Sequence, residues 1–305
     1  MNAASVKRMT RLSAERRREA IAGYLFLLPN FLGFLIFVLG PVVAAFGLGF
    51  VKWDMASPPQ FIGLQNYRRL LFHDQDFWRY VYNTVFLMLG IPVGMAASLL
   101  LAIVLNQKIR GRVIFRTIYF LPTMCSGVAI FFLWRWILDA EFGLANQLLT
   151  RMGLPAIGWL TTTGWAKPSL ILMGLWASVG GFNMILYLAA LQNVPTHLYE
   201  AAEIDGAGRW RKFRHVTWPY LTPTTFFISI MSIIGGLQGG FEAAYIMTAG
   251  GPAGSTTTIS FYLFKNIRDY KEFGYAASIA WVLFFMVFIF TLLNWRFGGR
   301  LVQYD

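Results

Sequence analysis

The sequence predicts an all-α integral membrane protein with six transmembrane helices and both ends in the cytoplasm. Three observations carry this reading. Only 13% of the 305 residues are charged while 57% are hydrophobic, against about 25% charged in a typical soluble domain. Six long uncharged runs recur along the chain, each near or beyond the roughly 20 apolar residues that a spanning helix needs. Lysine and arginine concentrate on alternate connections between those runs, as they do on the cytoplasmic side of a membrane.

The runs are bounded by charges. The first, 20–51, lies between Glu19 and Lys52, and the second, 80–107, between Arg79 and Lys108. The third, 117–134, lies between Arg116 and Arg135, and the fourth, 168–199, between Lys167 and Glu200. The fifth, 215–241, lies between Arg214 and Glu242, and the sixth, 273–295, between Glu272 and Arg296. Residues 243–264 are also uncharged, but "TAGGPAGSTTT" interrupts them and argues for a loop.

With the N-terminus inside, the inner segments hold Lys7, Arg8, Arg11, Arg16, Arg17, Arg18, Lys108, Arg110, Arg112, Arg116, Arg209, Arg211, Lys212, Arg214, Arg296 and Arg300. These are most of the 26 basic residues, and the remainder are spread over longer outer loops. The chain therefore reads as a basic cytoplasmic segment, 1–20, followed by a membrane domain, 21–305. Trp53, Trp78, Trp159 and Trp165 lie near span ends, where tryptophan anchors to the interface.

A net charge of +12 suggests nucleic acid only in a soluble domain large enough to form a groove, and none is present. The single cysteine, Cys125, excludes an internal disulfide framework and a cysteine metal cluster. The first apolar run is far longer than a signal-peptide core and lacks a small-x-small cleavage site, so it reads as a retained span. His73, His197 and His215 show no metal or acid–base spacing with carboxylates, which argues against a membrane enzyme. No metal or cofactor is expected.

The most polar stretch, "EAAEIDGAGRWRKF" at 200–213, falls on the cytoplasmic side. Within 195–220, Pro195 and Thr196 suit a helix start. "HLYEAAEID" contains no breaker, Gly206 and Gly208 stop or bend the helix, and "RWRKFRHVTW" forms a second helix that Pro219 ends. An amphipathic connector near lipid phosphates explains this composition. Ala201 and Ala202 beside Glu200, with the "DGAG" corner, favour instead a rigid, shallow surface that a protein can approach closely.

"EAAEIDGAG" followed by Phe213 and Pro219 resembles the EAA loop of binding-protein-dependent ABC importer permeases. "FEAAYIMTAGGPAGSTTT" and "FIGLQNYRRLL" are similar to two further segments of that family's carbohydrate branch, the maltose-type and glycerol-3-phosphate-type permeases. The three matches occur in family order and cover nearly the whole chain. The resemblance implies a type I ABC importer permease fold in a bacterial inner membrane. It further implies a second permease subunit, usually different from the first, two ATPase subunits, an extracytoplasmic solute-binding protein and a sugar or polyol substrate. Glu200, Ala201, Ala202, Asp205, Gly206, Ala207 and Phe213 would then form the element that couples to the ATPase. The chain lacks G-x-x-x-x-G-K-[ST], so it holds no phosphate-binding loop of that type.

The substrate path draws on spans four and five. Gly235/Gly239 and Gly236/Gly240 form two overlapping G-x-x-x-G spacings, which serve close helix packing or open space for a sugar. Asn183 and Tyr187 share one helix face; that face suits hydroxyl ligands or joins helices. Glu242 lies within an apolar region, where a carboxylate must face protein or water. It lines the path, with Gln238 one turn below and Phe241 beside it, or it sits hydrated at the outer end of span five. Arg135 is placed to snorkel or to pair with it. An ion-coupled sugar carrier is the rival reading, and it requires paired mid-membrane ionisable residues and inverted repeats; one acid and no repeat are visible.

Overall fold

The computed structural model describes residues 3–107 and 109–298; Lys108 and Arg300 of the charge count lie outside them. Span one begins as the helix Ala3–Phe34, passes through a π turn at Leu35–Leu39 and continues to Leu48. The helix crosses the expected boundary at residue 20 without a break. None of its apolar window is buried, and Phe26 and Phe37 stand open at 86% and 78% exposure.

Outside, a two-residue antiparallel hairpin (Val51–Lys52 with Gln60–Phe61) leads to Gln65–Arg68 and a π turn, Arg69–His73. Asp74 then caps span two, its carboxylate accepting the N–H of Phe77 at 3.0 Å. The other Asp74 oxygen accepts Tyr262 at 2.6 Å and also Tyr275, tying together the outer ends of spans two and six. Burial, reinforced by Asp74, pushes the Tyr262 phenol above its ordinary range, so it remains a donor.

Span two comprises Gln75–Met88 and Gly90–Asn106. Span three departs from the straight run read in the sequence. Its halves, Arg112–Met124 and Gly127–Ile137, meet at 98° around Cys125 and Ser126. Counting this bent pair as one span gives six. Span four is also two helices, Thr163–Val179 and Phe182–Gln192. At its break, Gly180 lies where any Cβ would strike the Tyr119 carbonyl of span three.

The cytoplasmic connection folds as Thr196–Ile204, a glycine corner and Arg209–Lys212. Two local expectations are corrected. Pro195, not Thr196, occupies the cap position, and no side chain caps that helix. Pro219 does not end the second helix, which runs through a π turn at Phe213–Thr217 into Trp218–Gln238. Pro219 sits in the first turn of that helix, where a missing N–H costs little. The 21 residues of Trp218–Gln238 extend about 31 Å, close to the thickness of a bilayer core.

Span five stops at Gly239–Gly240, with Gly240 left-handed at φ +80°. A short helix, Phe241–Ala243, a π turn at Ala244–Thr248 and the loop 249–258 follow. The loop turns on buried Thr256, Thr257 and Thr258. Asn83 of span two donates to the carbonyls of Gly254 (2.9 Å) and Thr257 (3.0 Å) and accepts Lys167 at 3.0 Å. The "GGPAGSTTT" stretch is therefore a packed outer scaffold. The outer helix Ile259–Arg268 precedes span six, Phe273–Gly298.

Packing divides into an inner cluster of spans two, four and five around Leu99, Tyr187, Leu191 and Leu221, and an outer one around Phe77, Leu237, Ile259 and Ile279. A third, around Ile130, Leu170 and Met247, joins spans three and four to the π turn after span five.

The orientation yields a labelling prediction. In a Cys125→Ser background, Leu64→Cys and Thr162→Cys react with an impermeant maleimide added outside sealed cells, whereas Gln107→Cys and Gly208→Cys do not. All four positions are exposed. Labelling of Gly208→Cys in intact cells contradicts the topology.

Candidate functional site: a membrane cavity and a cytoplasmic lever

A cavity of about 450 Å³ lies among spans two, three, four and five. Ser178, Asn183 and Ser232 contribute its polar groups, and Gly174, Gly235 and Gly240 leave parts of its wall without side chains. The glycine pairs of span five divide their work. A Cβ on Gly236 would lie 2.8 Å from Ile91 and 3.0 Å from Met88, so this glycine lets span five approach span two. A Cβ on Gly235 would meet nothing within 4 Å. Packing and open space are thus served by adjacent residues. Gly236→Val is expected to lower the stability of the purified protein by about 1–3 kcal/mol through overpacking. Gly235→Val leaves the unfolding midpoint near that of the parent. Equal losses in the two variants contradict this division.

The residues read in the sequence as a substrate path separate in space. Asn183 lines the cavity. Tyr187, one turn along, is 1% exposed and lies in the inner cluster with Leu99 and Leu188. The shared face is divided because span two covers its inner end. Gln238 is exposed at the last turn of span five. It is not one helical turn below Glu242, because Gly239 and Gly240 break the helix between them. Phe241 packs in an aromatic group with Tyr245 (5.7 Å, stacked) and Phe264 (4.7 Å). Glu242 is exposed, and its carboxylate lies 3.8 Å from where a Gly127 Cβ would stand. It therefore faces the N-terminal end of the outer half of span three, a position that favours negative charge. Arg135 does not pair with Glu242; it donates to the Ile246 carbonyl at 3.1 Å. The exposed carbonyl of the π turn is the nearer acceptor. Sequence reasoning missed Ser178 and Ser232, whose only signal was their closeness to the glycine pairs of spans four and five.

On the cytoplasmic side, Gly206 is left-handed at φ +70°. Its N–H donates to Glu203 at 3.0 Å, and the Ala207 N–H donates to Ala202 at 2.8 Å. This pair of bonds is a Schellman closure. Lys212 bridges the corner to Glu203 at 2.5 Å. Glu200, Ala201, Asp205 and Gly206 are exposed, and Ala202 and Ala207 are half-buried. Phe213 turns inward, against the inner cluster and Trp210 (5.6 Å, stacked). Tyr199 hydrogen-bonds Thr217 at 2.9 Å, linking the first cytoplasmic helix to the root of span five. Ile204 and Trp210 stand out at 88% and 70% exposure; their apolar character within a polar stretch was the signal available.

This arrangement of broken helices around a membrane cavity, with a closed helical corner on the cytoplasmic side, suits a membrane permease. A family model described as "Binding-protein-dependent transport system inner membrane component" matches residues 90–299. The chain is 37% identical over 292 residues to the lactose transport system permease protein LacF of Rhizobium radiobacter, covering 93% of this chain and 96% of that protein. It is 32% identical over 284 residues to the trehalose/maltose transport system permease protein MalF of Thermococcus litoralis, covering 92% and 95%. The crystal structure of a bacterial alginate ABC transporter in complex with an alginate pentasaccharide-bound periplasmic protein contains a chain with TM-score 0.84 and 27% identity, covering 97% of this chain and 99% of that one. The chain belongs to the binding-protein-dependent transport system inner membrane components. It is a multi-pass permease subunit of an ATP-driven importer of the ABC class. Membership excludes the ion-coupled carrier as the reading of this chain.

Proposed function

We propose that the chain forms half of the membrane channel of a carbohydrate importer and couples saccharide passage to ATP hydrolysis in separate ATPase subunits. The observation that carries this is a connected path of helices joined by a closed corner. The surface of exposed Glu200 and Ala201 with half-buried Ala202 leads through the closed Gly206 corner and inward-packed Phe213 into span five. Gly235 and Ser232 of that span border the cavity. A push on the cytoplasmic corner moves a wall of the cavity. Glu200, Ala201, Ala202, Asp205, Gly206 and Ala207 form the docking face, Phe213 transmits the movement, and ATP chemistry belongs to the ATPase.

A saccharide cargo is supported by the lactose and trehalose/maltose names of the relatives and by the hydroxyl and amide groups of Ser178, Ser232 and Asn183 in the cavity. Asn183 and Glu242 are the proposed polar contacts; Gln238 and Phe241 flank the Gly239–Gly240 break beside the cavity, and Tyr187 supports its wall from the inner cluster. The uncovered flank of span one suits lipid and a second, non-identical permease subunit. In this assembly, residues 1–20 form a basic cytoplasmic lead, 21–305 the permease domain and 195–220 its coupling loop.

The test is affinity purification of the complex from its native membrane, then a saccharide screen on the binding protein recovered with it. The expected result is a second permease chain, an ATPase and a binding protein that retains a saccharide. Recovery with a binding protein that takes only amino acids or metal ions contradicts the cargo assignment.

A further inference from the structure

A second pocket, of about 530 Å³, opens on the outer face between the end of span three and residues 245–249. Arg135, Asp139, Glu141, Phe142, Thr161 and Tyr245 contribute to its wall. Two of these are aromatic rings left open, Phe142 at 67% and Tyr245 at 40% exposure. The polar groups around them are held in place. Asp139 accepts the N–H groups of Glu141 and Phe142, both at 2.9 Å, which sets the turn carrying the Phe142 ring. Those bonds, the one from Phe142 foremost, hold the Asp139 carboxyl below its ordinary range, so it stays ionised at neutral pH. Arg268, which does not line the pocket, donates to the Tyr245 hydroxyl at 2.7 Å from behind the wall, and Arg135 reaches across to the Ile246 carbonyl at 3.1 Å.

We propose that this pocket is an extracytoplasmic binding site for a neutral saccharide, separate from the membrane cavity. The faces of Phe142 and Tyr245 take the apolar C–H side of a sugar ring, and Asp139, Glu141 and Arg135 take its hydroxyls. A few placed polar groups around apolar surface are what orient a small ligand. Two carboxylates against one wall guanidinium disfavour an anionic sugar. The location gives the site a role. Gly240 and Ala243 border the membrane cavity while Tyr245 to Ala249 border this pocket, so one short segment separates them. A saccharide leaving the binding protein waits here before that segment admits it. The role in import rests on the carbohydrate reading above; binding itself does not.

The experiment uses the whole complex in nanodiscs, without binding protein and without ATP, and measures saturation-transfer NMR signals from millimolar lactose and galacturonate. Lactose gives a signal and galacturonate a much weaker one. Phe142→Ala and Asp139→Asn each reduce the lactose signal about tenfold, the scale of losing a charge-assisted hydrogen bond or an equivalent contact. These reductions are read in a Gly235→Leu background, whose filled membrane cavity no longer contributes to the signal. The proposal is overturned by absence of a lactose signal in the Gly235→Leu background, by a signal that the pocket variants leave intact, or by equal signals from both sugars. It is also overturned if the pocket variants weaken only recruitment of the binding protein, which makes the pocket a protein-docking surface. A complex that binds lactose here yet moves no saccharide defeats the import reading and leaves the site standing.

Discussion

In Gly206→Pro, saccharide uptake falls to background while the permease remains folded in the membrane. Gly206 adopts φ +70°, and proline is locked near −65°. The substitution also removes the N–H that closes on Glu203, so both bonds of the corner are lost and the first cytoplasmic helix takes a new direction. The rest of the fold is spared, because Gly206 is exposed and nothing lies within 4 Å of the site of its Cβ. Strain of about 1–3 kcal/mol is expected for an ordinary residue held in this region. Gly206→Asn, whose side chain tolerates the left-handed conformation better, is expected to retain substantial uptake. Purified complexes separate the two effects. The proline variant hydrolyses ATP without stimulation by binding protein, and the asparagine variant remains stimulated. Normal uptake by Gly206→Pro leaves 195–220 as a plain connector.

Glu242→Leu produces the second large effect. Glu242 is exposed at the start of the short helix after the Gly239–Gly240 break and faces the N-terminal end of Gly127–Ile137. Its neighbours Gly240 and Ala243 line the cavity, and on the proposed path its carboxylate meets hydroxyls entering there. A charge-assisted hydrogen bond contributes about 1.5–3 kcal/mol, so Leu should reduce uptake about tenfold or more. Gln keeps the shape and an acceptor and should lose only a few-fold. Saccharide affinity of the separate binding protein stays constant in both. A Leu variant with normal uptake removes Glu242 from the path without touching the coupling account.

Spans and sidedness were legible because a bilayer constrains composition so strongly: uncharged runs and basic inner loops leave few alternatives. The breaks were less so. In the third run, Pro122 and the Ser126–Gly127 pair stand beside the 98° bend at Cys125–Ser126, a break signal that counting uncharged residues passes over, and the angle itself depends on how the two halves pack. The Gly239–Gly240 break was present as glycines, yet a spacing rule for continuous helices placed Gln238 beneath Glu242. Asn183 and Tyr187 do share a helix face, but a neighbouring span covers one and not the other, and helical periodicity holds no information about that neighbour. Arg135 shows the same limit, since its partner is a backbone carbonyl, invisible in side-chain chemistry. The cytoplasmic corner was the most readable part of the site, because its shape is set by local backbone rules at Gly206.

The most direct test places the purified permease pair in proteoliposomes, with ATPase on the face carrying residues 200–213, binding protein on the other, and labelled saccharide outside. Uptake is expected to require ATP on the ATPase face, to be lost when the ATPase is omitted or Gly206→Pro is introduced, and to be indifferent to protonophores. Uptake that proceeds without ATP and collapses when a proton or sodium gradient is discharged contradicts that expectation.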